Sequence, residues 1–268
     1  MVSSNYLQVD GAKLYYKVFG AGKPLILLHA GIADSRMWQP QIDFFSEYYQ
    51  VITLDFRGYG KTVYQQGLFW HYKDVYSLIN HLGLISVDLL GCSIGGLVAM
   101  ELALQHPGVV GKLILVCPGL KGYEFTDKAS LSKDVVLDEL IASGKREKVA
   151  ELLVDIWVVG LRRKRGDVKP EIRSFVREMI LDNYDAVIDR IEEAELGFDV
   201  ISRLGEISSQ TLVIIGGKDL PDMLTISRII TDKIPQATRT VVPDTAHMIN
   251  LEKSKCLNDE IINFLELY

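Results

Sequence analysis

One short segment of the 268-residue chain combines a nucleophilic side chain with residues that would expose it. Gly91-Cys92-Ser93-Ile94-Gly95 follows an apolar, strand-like run and opens a helical stretch. Glycines two residues before and two after a serine permit a sharp strand-to-helix turn that lifts the hydroxyl out of the sheet. Ser93 is therefore the candidate nucleophile. The alternatives are a glycine-rich turn whose serine caps the helix, and Cys92, whose flanking residues Leu90 and Ile94 cannot make the turn.

A serine needs a neighbouring base, and the position of His247 in the chain suits that role best. His247 lies in the loop that follows the last predicted strand, Thr238 to Val242. Loops that follow parallel strands gather at one edge of a sheet, where ligands bind. The other histidines lie beside predicted elements: His29, His71, His81 and His106. A lone surface histidine is the alternative interpretation of His247.

An acid that orients the histidine should come from another loop of this kind. Asp219 follows the predicted strand Leu212 to Ile215 and lies between Ser93 and His247 in chain order. The order Ser, Asp, His is one of the known orders of a catalytic triad. Asp222 and Asp244 remain competitors, since spacing alone does not place a carboxylate to within an ångström.

A tetrahedral intermediate also needs two N–H donors for its oxyanion. Ile94 supplies one at the start of the predicted helix. His29-Ala30-Gly31 directly follows the predicted strand Leu25 to Leu28, so the N–H of Gly31 could converge with that of Ile94. A plain strand-to-loop turn is the alternative.

The elements that must position these residues follow from the apolar pattern. Short runs rich in Val, Ile and Leu indicate strands buried on both faces, as in a parallel sheet covered by helices. Asp10-Gly11 between two alternating segments predicts an antiparallel hairpin that leads into this sheet. The predicted strands are Tyr6–Val9, Lys13–Phe19, Leu25–Leu28, Val51–Leu54, Val87–Leu90, Lys112–Val116, Leu212–Ile215 and Thr238–Val242. The predicted helices are Tyr72–Leu82, Gly95–Gln105 and Lys255–Leu267.

The middle of the chain lacks a convincing strand and shows only helical spacing. We expect residues 121–205 to form a helical cap inserted into an α/β core made of residues 1–120 and 206–268. Trp157 in this cap and Trp38 after the oxyanion loop are candidate substrate-binding residues, although both could instead pack in the interior. The basic run Arg162 to Arg165 is interpreted as a solvated loop between helices.

This ordered set of motifs resembles the α/β-hydrolase superfamily. His29-Ala30-Gly31 is similar to its HG-x oxyanion loop, with Ala30 in place of the usual glycine. Asp55 to Thr62 resembles its D-x-R-G-x-G-x-S segment. The resemblance implies an eight-stranded, mostly parallel sheet with a helical lid, and it is closest to the lactonase, esterase and haloperoxidase-like group, including 3-oxoadipate enol-lactonases. It also implies the triad Ser93, Asp219 and His247, with oxyanion N–H groups on Gly31 and Ile94.

The expected activity is hydrolysis of a small carboxylic ester or lactone through an acyl-enzyme on Ser93. Members of this fold that use a carboxylate nucleophile are excluded by Ser93. Carbon–carbon bond hydrolases, perhydrolases and thioesterases remain alternatives. So does a ligand receptor of the same fold with little turnover.

The composition of the chain argues against some classes of binding partner. The net charge of −6 lacks the positive field that nucleic-acid or anionic-membrane binding would use. No charge-free stretch reaches 18 residues, no leader-like start is found, and the three cysteines are scattered. We expect a cytoplasmic monomer or homodimer without a metal ion or other cofactor.

Overall fold

The computed structural model describes residues 2–189, 194 and 196–266. Within these residues, nine strands form one sheet in the order β1-β2-β4-β3-β6-β7-β8-β9, with the two-residue β5 paired to β2. The strands are β1 (Val2–Val9), β2 (Ala12–Phe19), β3 (Lys23–Leu28), β4 (Tyr49–Leu54), β5 (Val63–Tyr64), β6 (Val87–Cys92), β7 (Val110–Val116), β8 (Gln210–Gly216) and β9 (Ala237–Val242). The six strands β3, β4 and β6 to β9 pair in parallel. The predicted fold class is confirmed, but among the described residues the sheet has nine strands instead of the expected eight, because the two-residue β5 adds one.

The antiparallel start of the sheet also agrees with the prediction. β1 pairs with β2 from Val2 opposite Phe19 to Val9 opposite Ala12, around the turn at Asp10-Gly11. Gly11 has φ 67°, a conformation that costs glycine little. β2 then pairs antiparallel with β4, which connects the hairpin to the parallel strands.

Helices cover the sheet in two groups because its central strands are apolar on both faces. Every residue of β6 is buried, as are Leu25 to Leu28 in β3. One group consists of α2 (His71–His81), α3 (Ile94–Gln105) and α9 (Pro221–Lys233). The other consists of α1 (Gln39–Phe45), α10 (Ile249–Glu252) and α11 (Ser254–Glu266). Because helices cover both faces of the sheet, we expect a ligand to bind at loops that follow the ends of the strands.

Between β7 and β8 the chain forms helices and loops, and its described residues contain no strand. We call residues 121–205 the helical insertion. Its helices are α4 (Lys128–Ala142), α5 (Arg146–Leu153), α6 (Pro170–Asp182), α7 (Tyr184–Asp189) and α8 (Val200–Arg203), with a π-helical turn over Val154–Val159 and 3₁₀ turns over Arg165–Asp167 and Leu204–Glu206. Residues 190–193 and 195 of the predicted cap lie outside the described residues. The division into a core domain and a cap domain stays a prediction.

Candidate active site

Ser93 lies in the turn between β6 and α3, in a backbone conformation that residues other than glycine rarely adopt. Its φ is 55° and its ψ is −115°. The turn depends on two glycines. A Cβ at Gly91 would overlap the backbone of Gly95, and a Cβ at Gly95 would overlap the backbone of Leu28. The half-buried Ser93 is thus held at the tip of a tight turn at the carboxyl end of β6.

Backbone hydrogen bonds fix the peptide groups of Ser93. Its N–H donates to the carbonyl of Val116 at 3.0 Å, and its carbonyl accepts from Leu97 N at 3.1 Å and Gly119 N at 2.9 Å. Ile94 is the first residue of α3. Because the first N–H groups of a helix have no partner within the helix, the N–H of Ile94 remains a donor for a ligand.

Asp219 and His247 form a buried hydrogen-bonded pair. Nδ1 of His247 lies 2.8 Å from Oδ2 of Asp219, and both residues are only 1% exposed. The other carboxylate oxygen of Asp219 accepts from Leu220 N at 2.8 Å. With Nδ1 engaged by the carboxylate, Nε2 of His247 is the ring nitrogen that a general base would use.

A close approach of two loops brings this pair together. Gly216 ends β8, and a Cβ there would overlap the carbonyls of Thr245 and Ala246 in the loop after β9. Lys218 N donates to the Thr245 carbonyl at 2.8 Å. The side chain of Asp219 follows directly, so the glycine at the end of β8 sets the distance between the carboxylate loop and the histidine loop.

Cys117 connects Ser93 to the Asp219–His247 pair in space. Cys92 is paired with Val116, so Cys117 is the neighbour of Ser93 on the adjacent strand end. The Cys117 thiol, one Asp219 carboxylate oxygen and one His247 ring nitrogen all lie within 4.8 Å of one another. Since adjacent parallel strands are about 4.8 Å apart, Ser93 and the pair occupy neighbouring positions at one edge of the sheet.

The same three side chains offer the ligand types that zinc prefers: a thiol, a carboxylate and an imidazole. A thiol must lose its proton to bind a metal. Burial, followed by the nearby charge of Asp219, raises the pKa of the Cys117 thiol well above its usual range. Without a bound cation the thiol is therefore protonated, while the carboxylate and the imidazole of this group are hydrogen-bonded to each other at 2.8 Å.

The two competing carboxylates have other surroundings. Asp222, on α9, accepts hydrogen bonds from Tyr123, Thr126 and Asp127 in the helical insertion. Asp244 is exposed, and its carbonyl accepts from the Arg163 guanidinium at 2.7 Å. Of these three carboxylates, the structure places Asp219 against His247.

The peptide that joins Ala30 to Gly31 is oriented by His29. Nδ1 of His29 lies 2.9 Å from the Ala30 carbonyl, which also accepts from Ala33 N at 3.1 Å. Nε2 of His29 accepts from Phe56 N at 3.0 Å, so Nδ1 carries the proton. Burial lowers the pKa of His29, which keeps the ring neutral. Because a trans peptide directs its C=O and N–H oppositely, Gly31 N–H points away from these partners.

Gly31 and Ile94 lie beside each other. A Cβ built on Gly31 would be 3.7 Å from Cδ1 of Ile94. Both residues are half-buried, and therefore accessible at the surface where Ser93 lies. The orienting role of His29 is not evident from spacing; its place directly after a buried strand was the available signal.

The two candidate substrate-binding tryptophans differ. Trp157, in the π-helical turn, packs its ring 4.7 Å from the His247 ring at an interplanar angle of 54°, and its carbonyl accepts from His247 N at 3.3 Å. Trp38 is fully buried in the core. In this conformation Trp157 borders the site, whereas Trp38 has no accessible surface to offer a ligand.

Arg163 differs from the interpretation of residues 162–165 as a solvated loop. Its side chain is only 5% exposed and pairs with Glu252 of α10 at 2.7 Å. It also donates to the carbonyls of Val158 and Val159 at the end of the π-helical turn. Adjacent charges in sequence gave no sign that one of them would turn inward. Arg163 thereby attaches the turn that carries Trp157 to the core.

Known proteins are similar to this chain over most of its length. The model of the alpha/beta hydrolase fold family matches residues 23–142. RutD from Agrobacterium fabrum, which carries the name of a carbamate hydrolase, is 26% identical over 94% of this chain and 98% of its own length. The chain has the α/β-hydrolase fold and is similar to members of that superfamily.

Solved structures agree over nearly the full length of both chains. Est816, described as an N-acyl homoserine lactone degrading enzyme, superposes with a TM-score of 0.78 at 26% identity and covers 97% of this chain and 99% of its own. The enol-lactonase from Burkholderia xenovorans LB400 gives 0.79 at 21% identity, with coverage of 97% and 99%. The predicted resemblance to the superfamily is confirmed. The similarity to RutD and Est816 supports a hydrolase, and the enol-lactonase supports the fold.

Among the described residues, no helix is both long enough and apolar enough to span a membrane.

Proposed function

We propose that this protein is a serine hydrolase that cleaves a small carboxylic ester or lactone through an acyl-enzyme on Ser93. The observation that carries the proposal is the buried Asp219–His247 pair, joined at 2.8 Å beside the strained turn that presents Ser93. An imidazole oriented by a buried carboxylate, next to a serine at a helix N-terminus, is the arrangement that activates a hydroxyl for acyl transfer.

In the first half of the proposed reaction, Nε2 of His247 accepts the proton of Ser93 as Oγ attacks the substrate carbonyl. Asp219 stabilises the imidazolium that results. The N–H groups of Gly31 and Ile94 donate to the oxyanion of the tetrahedral intermediate. The imidazolium then protonates the departing alcohol oxygen, which leaves the acyl group on Ser93.

In the second half, water replaces the alcohol. His247 takes a proton from the water molecule as the water oxygen attacks the acyl carbonyl. The N–H groups of Gly31 and Ile94 donate to the oxyanion of this second tetrahedral intermediate. Collapse of this intermediate breaks the bond to Ser93, and the imidazolium returns the proton to Oγ. With a lactone, the alcohol and the acid released are parts of one product molecule.

The helical insertion is proposed to act as a cap over this site. Trp157 supports this role, because its ring packs against His247 and its backbone bonds to the histidine loop. A substrate that reaches Ser93 would then contact an aromatic surface of the insertion. We propose a small-molecule substrate; the monomeric or dimeric state, the cytoplasmic location and the absence of cofactors stay predictions.

A second candidate function is hydrolysis of a carbamate. The similarity to RutD of Agrobacterium fabrum over 94% of this chain favours it. Hydrolysis of a carbamate would use the same nucleophile, base and oxyanion donors. It differs because the carbonyl carbon carries a nitrogen, so the products include an amine or a carbamic acid. The two candidates therefore share Ser93, Asp219 and His247 and differ in substrate preference.

The test is kcat/KM for p-nitrophenyl esters from acetate to dodecanoate, for lactones of increasing ring substitution, and for an N-alkyl carbamate ester. Ser93→Ala is assayed on every substrate in parallel. Turnover of an ester or lactone that disappears in this variant would support the proposal, and preference for the carbamate would favour the second candidate. Turnover retained by Ser93→Ala would contradict both.

A further inference from the structure

The buried amide of Asn183 joins the helical insertion to the oxyanion loop, beside an ion pair between Asp182 and Arg36 at 2.8 Å. Asn183 follows α6 and is only 4% exposed. Its Nδ2 donates to Oδ2 of Asp34 at 2.9 Å and to the Met179 carbonyl at 2.7 Å. Its Oδ1 accepts from Gly60 N at 2.7 Å. Both N–H donors and the carbonyl of the amide are therefore engaged when the insertion is in place.

The first of these bonds leads to the loop that contains Gly31. Asp34 is three residues further on, is 1% exposed, and accepts from Arg36 N at 3.0 Å, which caps the turn that follows. Burial acts to raise the pKa of Asp34, but the hydrogen bonds from Arg36 and Asn183 outweigh it and hold that pKa below its usual value. Asp34 is thus a buried carboxylate held from one side by the backbone and the guanidinium of Arg36, which pairs with it at 2.7 Å, and from the other by the Asn183 amide.

The second bond leads to the same loop by another path. Gly60 has φ 55°, and a Cβ there would overlap the carboxylate of Asp55, so the direction of its N–H is set by tight packing. The preceding residue, Tyr59, donates its hydroxyl to the Gly31 carbonyl at 2.9 Å. Asn183 therefore supports Gly31 from two sides, through Asp34 and through the loop of Tyr59 and Gly60.

We propose that Asn183 is a positioning residue that couples docking of the helical insertion to the geometry of the oxyanion hole. This inference rests on the proposed function of Ser93 and extends it. Moving α6 away removes one hydrogen-bond donor from the buried Asp34 carboxylate and the side-chain acceptor from the Gly60 N–H. The loop then relaxes and carries Gly31 with it. Asn183 contacts no reacting atom; it acts through the position of the Gly31 N–H.

Three variants test the pair. Asn183→Ala removes all three bonds. Asn183→Asp keeps an acceptor for Gly60 N but places two carboxylates together at the contact with Asp34. The double variant Asp34→Asn with Asn183→Asp restores one amide donor and one carboxylate acceptor in exchanged positions and keeps the net charge.

The matched control is Thr126→Val. Thr126 also joins the insertion to the core by a side-chain hydrogen bond, to Asp222 at 3.0 Å, but it lies outside the oxyanion loop. For each variant, kcat and KM on a short-chain ester, the melting temperature and the affinity for a phenylboronic acid are measured. The boronic acid forms a tetrahedral adduct on serine, so its affinity reports on the oxyanion donors.

We expect Asn183→Ala and Asn183→Asp to lower kcat by about 100-fold, the loss that a 1 Å misplacement can cause, with little change in KM. Boronic acid affinity should fall in parallel, because the lost interaction is made with the transition state. The exchanged double variant should recover at least about tenfold of the kcat lost in Asn183→Asp. Thr126→Val should keep kcat and boronic acid affinity whatever its melting temperature.

The proposal is overturned if Asn183→Asp keeps wild-type kcat, if kcat falls while boronic acid affinity does not, or if the double variant is no better than Asn183→Asp alone. If Asn183→Ala does not fold, the other two variants decide. Ser93→Ala, run beside them, separates this failure from failure of the proposed function: inactive Ser93→Ala with fully active Asn183 variants leaves the hydrolase assignment standing.

Discussion

The carboxyl edge of the sheet and the helical insertion above it are held in shape by different interactions. At the edge, backbone lies directly on backbone: Gly95 touches the end of β3, and Gly216 touches the loop of His247. In the insertion, charged side chains form many of the contacts. Arg165 pairs with Glu151 and Asp155, and Arg177 pairs with Glu147 and Glu151, all at least partly exposed.

The difference bears on what each region can tolerate. A close backbone contact admits no added atom, so the edge is rigid and preorganised for chemistry. A partly exposed ion pair is worth little, so the exposed charged positions of the insertion can vary without loss of the fold, whereas its buried apolar residues, such as Val149, Val176 and Met179, cannot. Among its polar side chains, the insertion should be most sensitive where a buried group contacts the core, as at Arg163 and Asn183.

The largest effect is expected at the nucleophile. Ser93→Ala should lower kcat by about 10⁶-fold, since the proposed acyl-enzyme forms on the Ser93 hydroxyl. The measurement is ester hydrolysis with enzyme from a preparation free of contaminating esterase. A melting temperature equal to the wild-type value would show that only the chemistry is lost, and residual turnover above about 1% would refute the role of Ser93.

The next effect concerns the carboxylate that orients His247. Asp219→Asn should lower kcat by about 10⁴-fold, because the amide favours the wrong tautomer of the imidazole. Asp244→Asn is the matched control and should keep wild-type kcat, because the Asp244 side chain is exposed whereas Asp219 and His247 are buried. Equal losses in the two variants would mean that the contact between Asp219 and His247 does not matter.

The rigidity of the edge is tested with an added methyl group. Gly95→Ala should destabilise the protein by about 3 kcal/mol, because the new Cβ would overlap the backbone of Leu28. Gly108→Ala places the same group in open space and should change stability by less than about 0.5 kcal/mol. Urea denaturation measures both, and a tolerant Gly95 would show that the edge can relax.

The last comparison is between two arginines in the basic run of the insertion. Arg163→Met should cost about 3 kcal/mol of stability, because it leaves the nearly buried Glu252 without its ion-pair partner. Arg165→Met should cost about 0.5 kcal/mol or less, because that side chain is 45% exposed. Similar losses in urea denaturation would contradict the distinction between inward and outward charges.

Much of the fold could be predicted from local patterns. Apolar runs such as Leu25 to Leu28 have to be buried on both faces, and glycines around Ser93 have few uses other than a tight turn. The strands observed extend the predicted ones by a few residues, for instance Lys23–Leu28 around Leu25 to Leu28. Only β5, with two residues, lies outside the predicted set, since so short a strand leaves no pattern.

Part of the candidate site could likewise be predicted from the sequence, and part depends on tertiary structure. Chain order and loop position single out Ser93, Asp219 and His247, because parallel strands deliver their following loops to one edge. The choice between Asp219 and its competitors, however, depends on distances between loops far apart in sequence. So does the contrast between Trp157, which packs on His247, and Trp38, which is fully buried.

By itself, the sequence determined the strands, the turn at Ser93 and the order of the candidate catalytic residues, because each depends on periodicity or on residue types close together in the chain. Tertiary structure alone decided which carboxylate meets His247, that Arg163 turns inward, and that Asn183 joins the insertion to the oxyanion loop. The physical reason is that hydrogen bonds act over about 3 Å, and a separation that small between distant segments is set only by the packing of the whole chain.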